Sequence, residues 1–158
     1  ILCRGRNVMK GYYRNKQATE AVIDADRWLH TGDLGRFGED GSLYVVGRCK
    51  ELIIRSGFNV FPIEVETAMN SHPDVVQAAV VGRKLADGNE EVLAFAELMP
   101  GSDLAVDTLQ AYLRDRLAPY KRPAKIVFAE ALPAASTGKL LKHKLIDTFA
   151  DQLNAGGV

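Results

Sequence analysis

The residue pattern predicts an α+β protein in two bodies, a β-rich segment over residues 1–49 and a small α+β domain over residues 50–158. Three observations carry this. Up to Gly47 short apolar runs alternate with turn residues, and none is long enough for a helix that would cover a sheet. From Lys50 onward both periods occur: Val75 to Val81 and Val92 to Leu98 are apolar runs of strand length, whereas Leu109, Tyr112, Leu113 and Leu117 recur at helical spacing. With 47% hydrophobic and 25% charged residues in 158, the composition is that of an ordinary globular protein and does not indicate disorder.

Taken in order, Ile1 to Gly5 reads as a strand, and Asn7 to Arg14 is extended with Gly11 between apolar residues. Thr19 to Ile23 suits a short helical turn with Thr19 as its cap. Glu39-Asp40-Gly41-Ser42 is a turn signal, and Leu43 to Gly47 a strand. Leu52-Ile53-Ile54 and Asn59-Val60-Phe61 flank Ser56-Gly57-Phe58, which predicts a hairpin with Gly57 where φ is positive or another group approaches closely. Pro62 opens a helix with Glu64 and Glu66 near its positive end, and Ser71-His72-Pro73 closes it. The two strands follow, joined through Asp87-Gly88-Asn89; then come a helix through Leu117 that Pro119 stops, a strand at Lys125 to Phe128, and a last helix carrying Leu140, Leu141, Leu145, Ile146 and Phe149. The junction at Lys50 has no Gly/Ser linker, which argues for a hinge of one or two residues.

Twenty basic and twenty acidic side chains cancel, so no overall field draws the chain to nucleic acid or an anionic membrane, and any anion must be recognised locally. Cys3 and Cys49 lack CxxC spacing and His30, His72 and His143 are scattered, which speaks against a disulfide framework and a zinc site. No apolar run reaches the roughly 18 residues of a membrane span, and there is no signal-peptide pattern. A cytoplasmic protein is expected. Ile1 reads like a strand entered midway, so the chain is expected to be a piece of a longer protein.

Between the strand at Lys125 to Phe128 and the last helix lies Leu132-Pro133-Ala134-Ala135-Ser136-Thr137-Gly138-Lys139. Pro133 and Gly138 exclude a helix or strand interior, so Lys139 is expected on a mobile tip. A Gly-Lys in a polar loop is most often a solvated turn. The phosphate-binding P-loop is excluded, because that motif needs Gly where Pro133 stands and Ser or Thr where Leu140 stands.

Four motifs nevertheless occur in a fixed order: Trp28-Leu29-His30-Thr31-Gly32-Asp33, Gly47-Arg48-Cys49-Lys50-Glu51, Ser56 through Glu66, and Pro133 through Lys139. Together they resemble the adenylate-forming (AMP-binding) superfamily of acyl-CoA synthetases, peptide-synthetase adenylation domains and luciferases. In particular the chain is similar to the C-terminal third of an acyl-CoA synthetase. The resemblance implies a β-rich remnant of a large N-terminal AMP-binding domain followed by a mobile C-terminal lid domain. It implies ATP with Mg²⁺ and CoA as co-substrates, a small-molecule carboxylic acid (fatty, aromatic or small dicarboxylic) as substrate, and the missing N-terminal domain as partner. The acyl pocket, phosphate loop and metal site would lie outside this chain, which would be inactive alone.

The resemblance also implies roles. Asp33 would accept hydrogen bonds from the ribose hydroxyls of ATP, as a carboxylate suits a diol; the alternative is an Asp that caps a turn. Arg48 would add a donor there, or be an ordinary surface guanidinium. Lys50 would be the hinge, or an exposed linker lysine. Ser56 and Gly57 would line the channel for the pantetheine of CoA, or form only a hairpin turn. Lys139 would be the catalytic, nucleotide-binding lysine of the first half-reaction. Phe58 and Phe61 are expected in core or interface. Lys50, where peptide-synthetase domains typically have Asp, favours CoA over a carrier protein as acceptor; an adenylation enzyme loading a carrier, or a non-catalytic binding module, are the rivals.

Overall fold

A computed structural model gives the structure of residues 1–154. The chain forms two compact units, Ile1–Lys50 and Glu51–Val158.

In the first unit, β1 (Leu2–Cys3) pairs antiparallel with β2 (Leu29–His30), and β3 (Asp33–Phe37) with β4 (Leu43–Arg48). The β3–β4 turn is held by Asp40, whose carboxylate accepts from the backbone N–H of Ser42 at 3.0 Å and from its hydroxyl at 2.8 Å. Register places Asp33 opposite Arg48, with a bulge after Leu34. The short helix α1 (Lys16–Glu20) begins earlier than the sequence predicts. Its cap is Asn15, which accepts from Ala18 N at 2.9 Å, rather than Thr19; the Thr19 hydroxyl donates back to Asn15 O and accepts from Tyr12 N. Asn7 to Arg14 is turn and isolated bridge rather than strand, since its backbone bonds close locally.

The second unit is built on a three-stranded sheet in the order β7 (Val75–Lys84), β8 (Glu90–Leu98), β9 (Lys125–Ala129). β7 and β8 are antiparallel; β8 and β9 are parallel, the chain between them crossing through α3 (Val106–Arg114). The central strand explains its own sequence: residues 92–96 are all buried, because Val92, Ala94 and Ala96 belong to one apolar cluster and Leu93 and Phe95 to another. The first cluster takes in Val65 and Met69 of α2 (Pro62–Asn70), Leu109 and Leu113 of α3, and Ile53 and Val60 of the hairpin β5 (Ile53–Arg55) and β6 (Phe58–Val60). The second takes in Leu132, Leu145 of α4 (Leu145–Thr148) and Leu153 of α5 (Ala150–Asn154). Every member of both clusters lies in this second unit.

The C-terminal pattern is the largest correction. No single helix starts at Leu140: that residue bridges back to Ala134, a 3₁₀ turn follows at Lys142–Lys144, and two short helices break between Thr148 and Ala150. The apolar residues at helical spacing reach the sheet from three different segments. Similarly α3 ends at Arg114, and Leu117 enters the core from a following turn held by its N–H to Leu113 O at 2.9 Å.

Candidate functional site

Within the first unit, the two predicted ribose ligands are side by side. Their cross-strand pairing brings the Arg48 guanidinium onto Asp33, with Nε donating to Oδ1 at 3.0 Å. Asp33 is not a turn cap. That task falls to Thr31, whose hydroxyl accepts from Asp33 N at 3.1 Å across Gly32, where φ is +76°. One carboxylate oxygen is thus fixed by the cation, and the other has no hydrogen-bond partner among the described residues. An oriented carboxylate beside a guanidinium offers acceptors and donors to a polyhydroxylated ligand. Lys50 is exposed in the 3₁₀ turn Cys49–Glu51, where the first unit ends.

In the second unit, Ser56 and Gly57 are the two residues between β5 and β6, with φ of +51° and +79°. Positive φ at both is the pattern of a type I′ hairpin turn, whose twist matches the flanking strands. The hairpin is braced from the β7–β8 loop and the start of β8: at the tip Asn89 Oδ1 accepts from Ser56 N at 2.7 Å, and on β5 Glu90 Oε2 accepts from Ile54 N at 2.7 Å. A Cβ at Gly57 would meet nothing within 4 Å, so this glycine answers a backbone requirement and faces open space. Of the two places expected for it, core or interface, Phe58 is not in the core: it is 53% exposed and its ring stacks on Tyr120 of the turn Pro119–Lys121 at 4.5 Å. Phe61 is half-buried and precedes the first turn of α2.

Lys139 stands on a loop whose backbone is hydrogen-bonded to itself. Leu141 N donates to Pro133 O at 2.8 Å, Ala135 N to Lys139 O at 2.8 Å and Gly138 N to Ala135 O at 2.9 Å, with Gly138 at φ +80°. The tip is closed by its own backbone, and Lys139 is exposed. Among the described residues the paired lysines are Lys16, Lys121 and Lys142; Lys139 has no carboxylate partner. Lys139 and the Ser56–Gly57 turn are on separate loops with no hydrogen bond between them.

Sequence reasoning missed three side chains. Asn89 read only as a loop residue. Tyr120 carried no signal, as its role arises from Phe58, distant in sequence. Lys142 carried no signal either, yet its ammonium is held by Glu51 at 2.7 Å and Glu66 at 2.8 Å. Burial disfavours that ammonium, but the hydrogen bonds and charges of the two glutamates outweigh it, so its pKa lies above the ordinary lysine value. Lys121 is likewise raised by its hydrogen bond to Glu64. Among the described residues no three His, Cys, Asp or Glu side chains cluster as metal ligands, and no helix is long and apolar enough to cross a membrane.

The second unit is thus a braced sheet domain with Lys139 exposed on a closed loop, and the first bears the Asp33–Arg48 pair. Residues 64–139 match the AMP-binding enzyme C-terminal domain. The chain is 40% identical over 154 residues to the putative acyl-CoA synthetase YngI of Bacillus subtilis, covering 97% of this chain and 28% of that protein. It is 40% identical over 153 residues to 4-coumarate–CoA ligase 1 of Arabidopsis thaliana, covering 97% of this chain and 27% of the plant protein. Among solved structures, the o-succinylbenzoate CoA synthetase MenE of Bacillus subtilis, in complex with the acyl-adenylate intermediate OSB-AMP, superposes with a TM-score of 0.83 at 38% identity, over 91% of this chain and 29% of that one. The chain therefore spans little more than a quarter of the length of the curated relatives it matches.

Proposed function

We propose that this chain is the C-terminal part of an ATP-dependent, AMP-forming carboxylate–CoA ligase, and that Lys139 is its lysine for the adenylation step. The observation that carries the reading is the state of Lys139: an exposed ammonium on a closed loop, with no acidic partner in its own unit among the described residues. Such a charge is available to a ligand. The relatives support the reaction class, since one is a CoA ligase for 4-coumarate and another was captured with an acyl-adenylate.

In the proposed reaction a carboxylate oxygen attacks the α-phosphorus of ATP, forming the acyl–phosphate bond as pyrophosphate leaves. Lys139 positions the two anions and offsets the developing charge. Asp33 holds the ribose hydroxyls and Arg48 fixes Asp33. The second unit then turns about Lys50, withdrawing Lys139 and bringing the Ser56–Gly57 turn to the thiol of CoA, which attacks the acyl carbon and releases AMP. Mg²⁺ accompanies ATP, with its ligands in the part of the protein that the relatives possess beyond this segment. The reading carries with it a cytoplasmic location and a free small carboxylic acid, fatty, aromatic or dicarboxylic, as substrate.

The test uses the complete enzyme. Lys139→Ala should slow carboxylate-dependent pyrophosphate release about 10²–10³-fold, the cost of one preorganised donor, while thioester formation from preformed acyl-adenylate and CoA changes little. Equal losses in the two steps would reject the role. Acceptance of a carrier protein's phosphopantetheine in preference to free CoA would reassign the acceptor.

A further inference from the structure

We infer that Lys142 is a positioning residue for Lys139, tying the C-terminal side of the Lys139 loop to Glu51, where the second unit begins, and to Glu66 on α2. The inference rests on the role proposed for Lys139 and adds how that lysine is aimed.

The loop is clamped at both ends by carboxylates from elsewhere in the sequence. On its N-terminal side, Glu97 of the central strand β8 accepts a hydrogen bond from Leu132 N. At its neck, Leu141 N bonds Pro133 O. On its C-terminal side, one residue beyond that neck, the Lys142 ammonium lies 2.7 Å from Glu51 Oε2 and 2.8 Å from Glu66 Oε1. The same Glu66 oxygen accepts from Val80 N at 2.8 Å, which extends the chain of contacts into β7.

Lys142 therefore joins three otherwise separate places: the 3₁₀ turn at Cys49–Glu51, the helix α2, and the loop whose tip bears Lys139. Its side chain is 26% exposed and that of Glu66 15%, so the pair is shielded far more than a surface ion pair. Because the environment raises its pKa, it remains an ammonium at neutral pH and is no proton donor there. Removing the charge leaves two carboxylates facing each other with no cation, an arrangement that separates them and releases the loop.

The consequence concerns motion. Glu51 follows Lys50 directly, so the ion pair ties the base of the Lys139 loop to the residue at which the proposed rotation would begin. Bracing at the loop base matters for the step in which Lys139 takes part and not for the step from which it is withdrawn.

The experiment compares Lys142→Met, Lys142→Arg, Glu51→Gln and Lys139→Ala in the complete enzyme, with both half-reactions and thermal midpoints measured for each. Lys142→Met is expected to slow pyrophosphate release about 10–100-fold, the scale of an ångström-level misplacement, with thioester formation from preformed acyl-adenylate within about 3-fold of the parent. Lys142→Arg, which keeps the charge, should recover most of the loss, and the double variant Lys142→Met with Glu51→Gln should lose little more than Lys142→Met alone. Equal loss in the two half-reactions, or no recovery with Arg, would overturn the positioning role and leave a general staple. If Lys142→Met fails to fold, the Arg and Glu51→Gln variants decide by the same two ratios. Should Lys139→Ala leave adenylation intact, the underlying role of Lys139 fails instead; a crippled Lys139→Ala beside an unaffected Lys142→Met sinks only the present inference.

Discussion

Replacing Gly57 by Ala in the complete enzyme separates the structural from the functional demand on the hairpin tip. Gly57 has φ +79°, and a Cβ there would have no neighbour within 4 Å. The substitution thus incurs no clash within its own unit, and its whole stability cost is the left-handed backbone of an L-residue, about 1–2 kcal/mol. For a unit of about 100 residues that corresponds to a fall in Tm of roughly 4–16 °C. The brace from Asn89 to Ser56 N keeps the turn in place, so the fold survives. Functionally, the added methyl projects into the space proposed for the pantetheine arm. A displacement of the thiol by about an ångström costs up to ~10²-fold in rate. Pyrophosphate release should therefore stay within about 3-fold of the parent, while thioester formation from preformed acyl-adenylate falls by an order of magnitude or more. Stopped assays of the two half-reactions beside a thermal scan provide the comparison. A lowered Tm with an undiminished thioester step would refute the channel reasoning and leave Gly57 as a turn residue alone.

Two further outcomes bear on the framework. Phe95 is fully buried on β8 with its ring 5.4 Å from that of Phe149, so Phe95→Ala should cost about 3–5 kcal/mol in equilibrium unfolding; a cost below 1 kcal/mol would mean that the second face of the sheet is not a packed core. Lys142 has a raised pKa in the folded protein, so its contribution is fully present below the ordinary lysine value of 10.5 and is lost as pH rises through the higher folded value. Above about pH 10.5 the Tm of the parent should fall relative to that of Lys142→Arg, which keeps its charge; parallel curves would show that the ion pair does not contribute.

Local chemistry was enough to read much of this protein from its residues. Pro62 with acids behind it makes a helix start wherever it occurs, Ser56-Gly57 between apolar pairs makes a tight hairpin, and the run from Val92 to Ala96 can only be covered on both faces. The order of the four motifs carried the resemblance to the AMP-binding superfamily, which no single motif carries alone. The fold had to decide what depends on partners far apart in sequence. Leu140 fits a helical period as well as it fits a bridge to Ala134, and only the closure of the loop by Leu141 N and Pro133 O chooses between them. Thr19 and Asn15 are both competent caps, and the hydrogen bond from Ala18 N selects Asn15. Lys139 and Lys142 are indistinguishable as letters three positions apart. What separates them is that Glu51 and Glu66, brought in by the packing of α2 and the 3₁₀ turn, neutralise the second and leave the first without a carboxylate partner, because a charge is committed or available according to what the tertiary structure sets within a few ångströms of it.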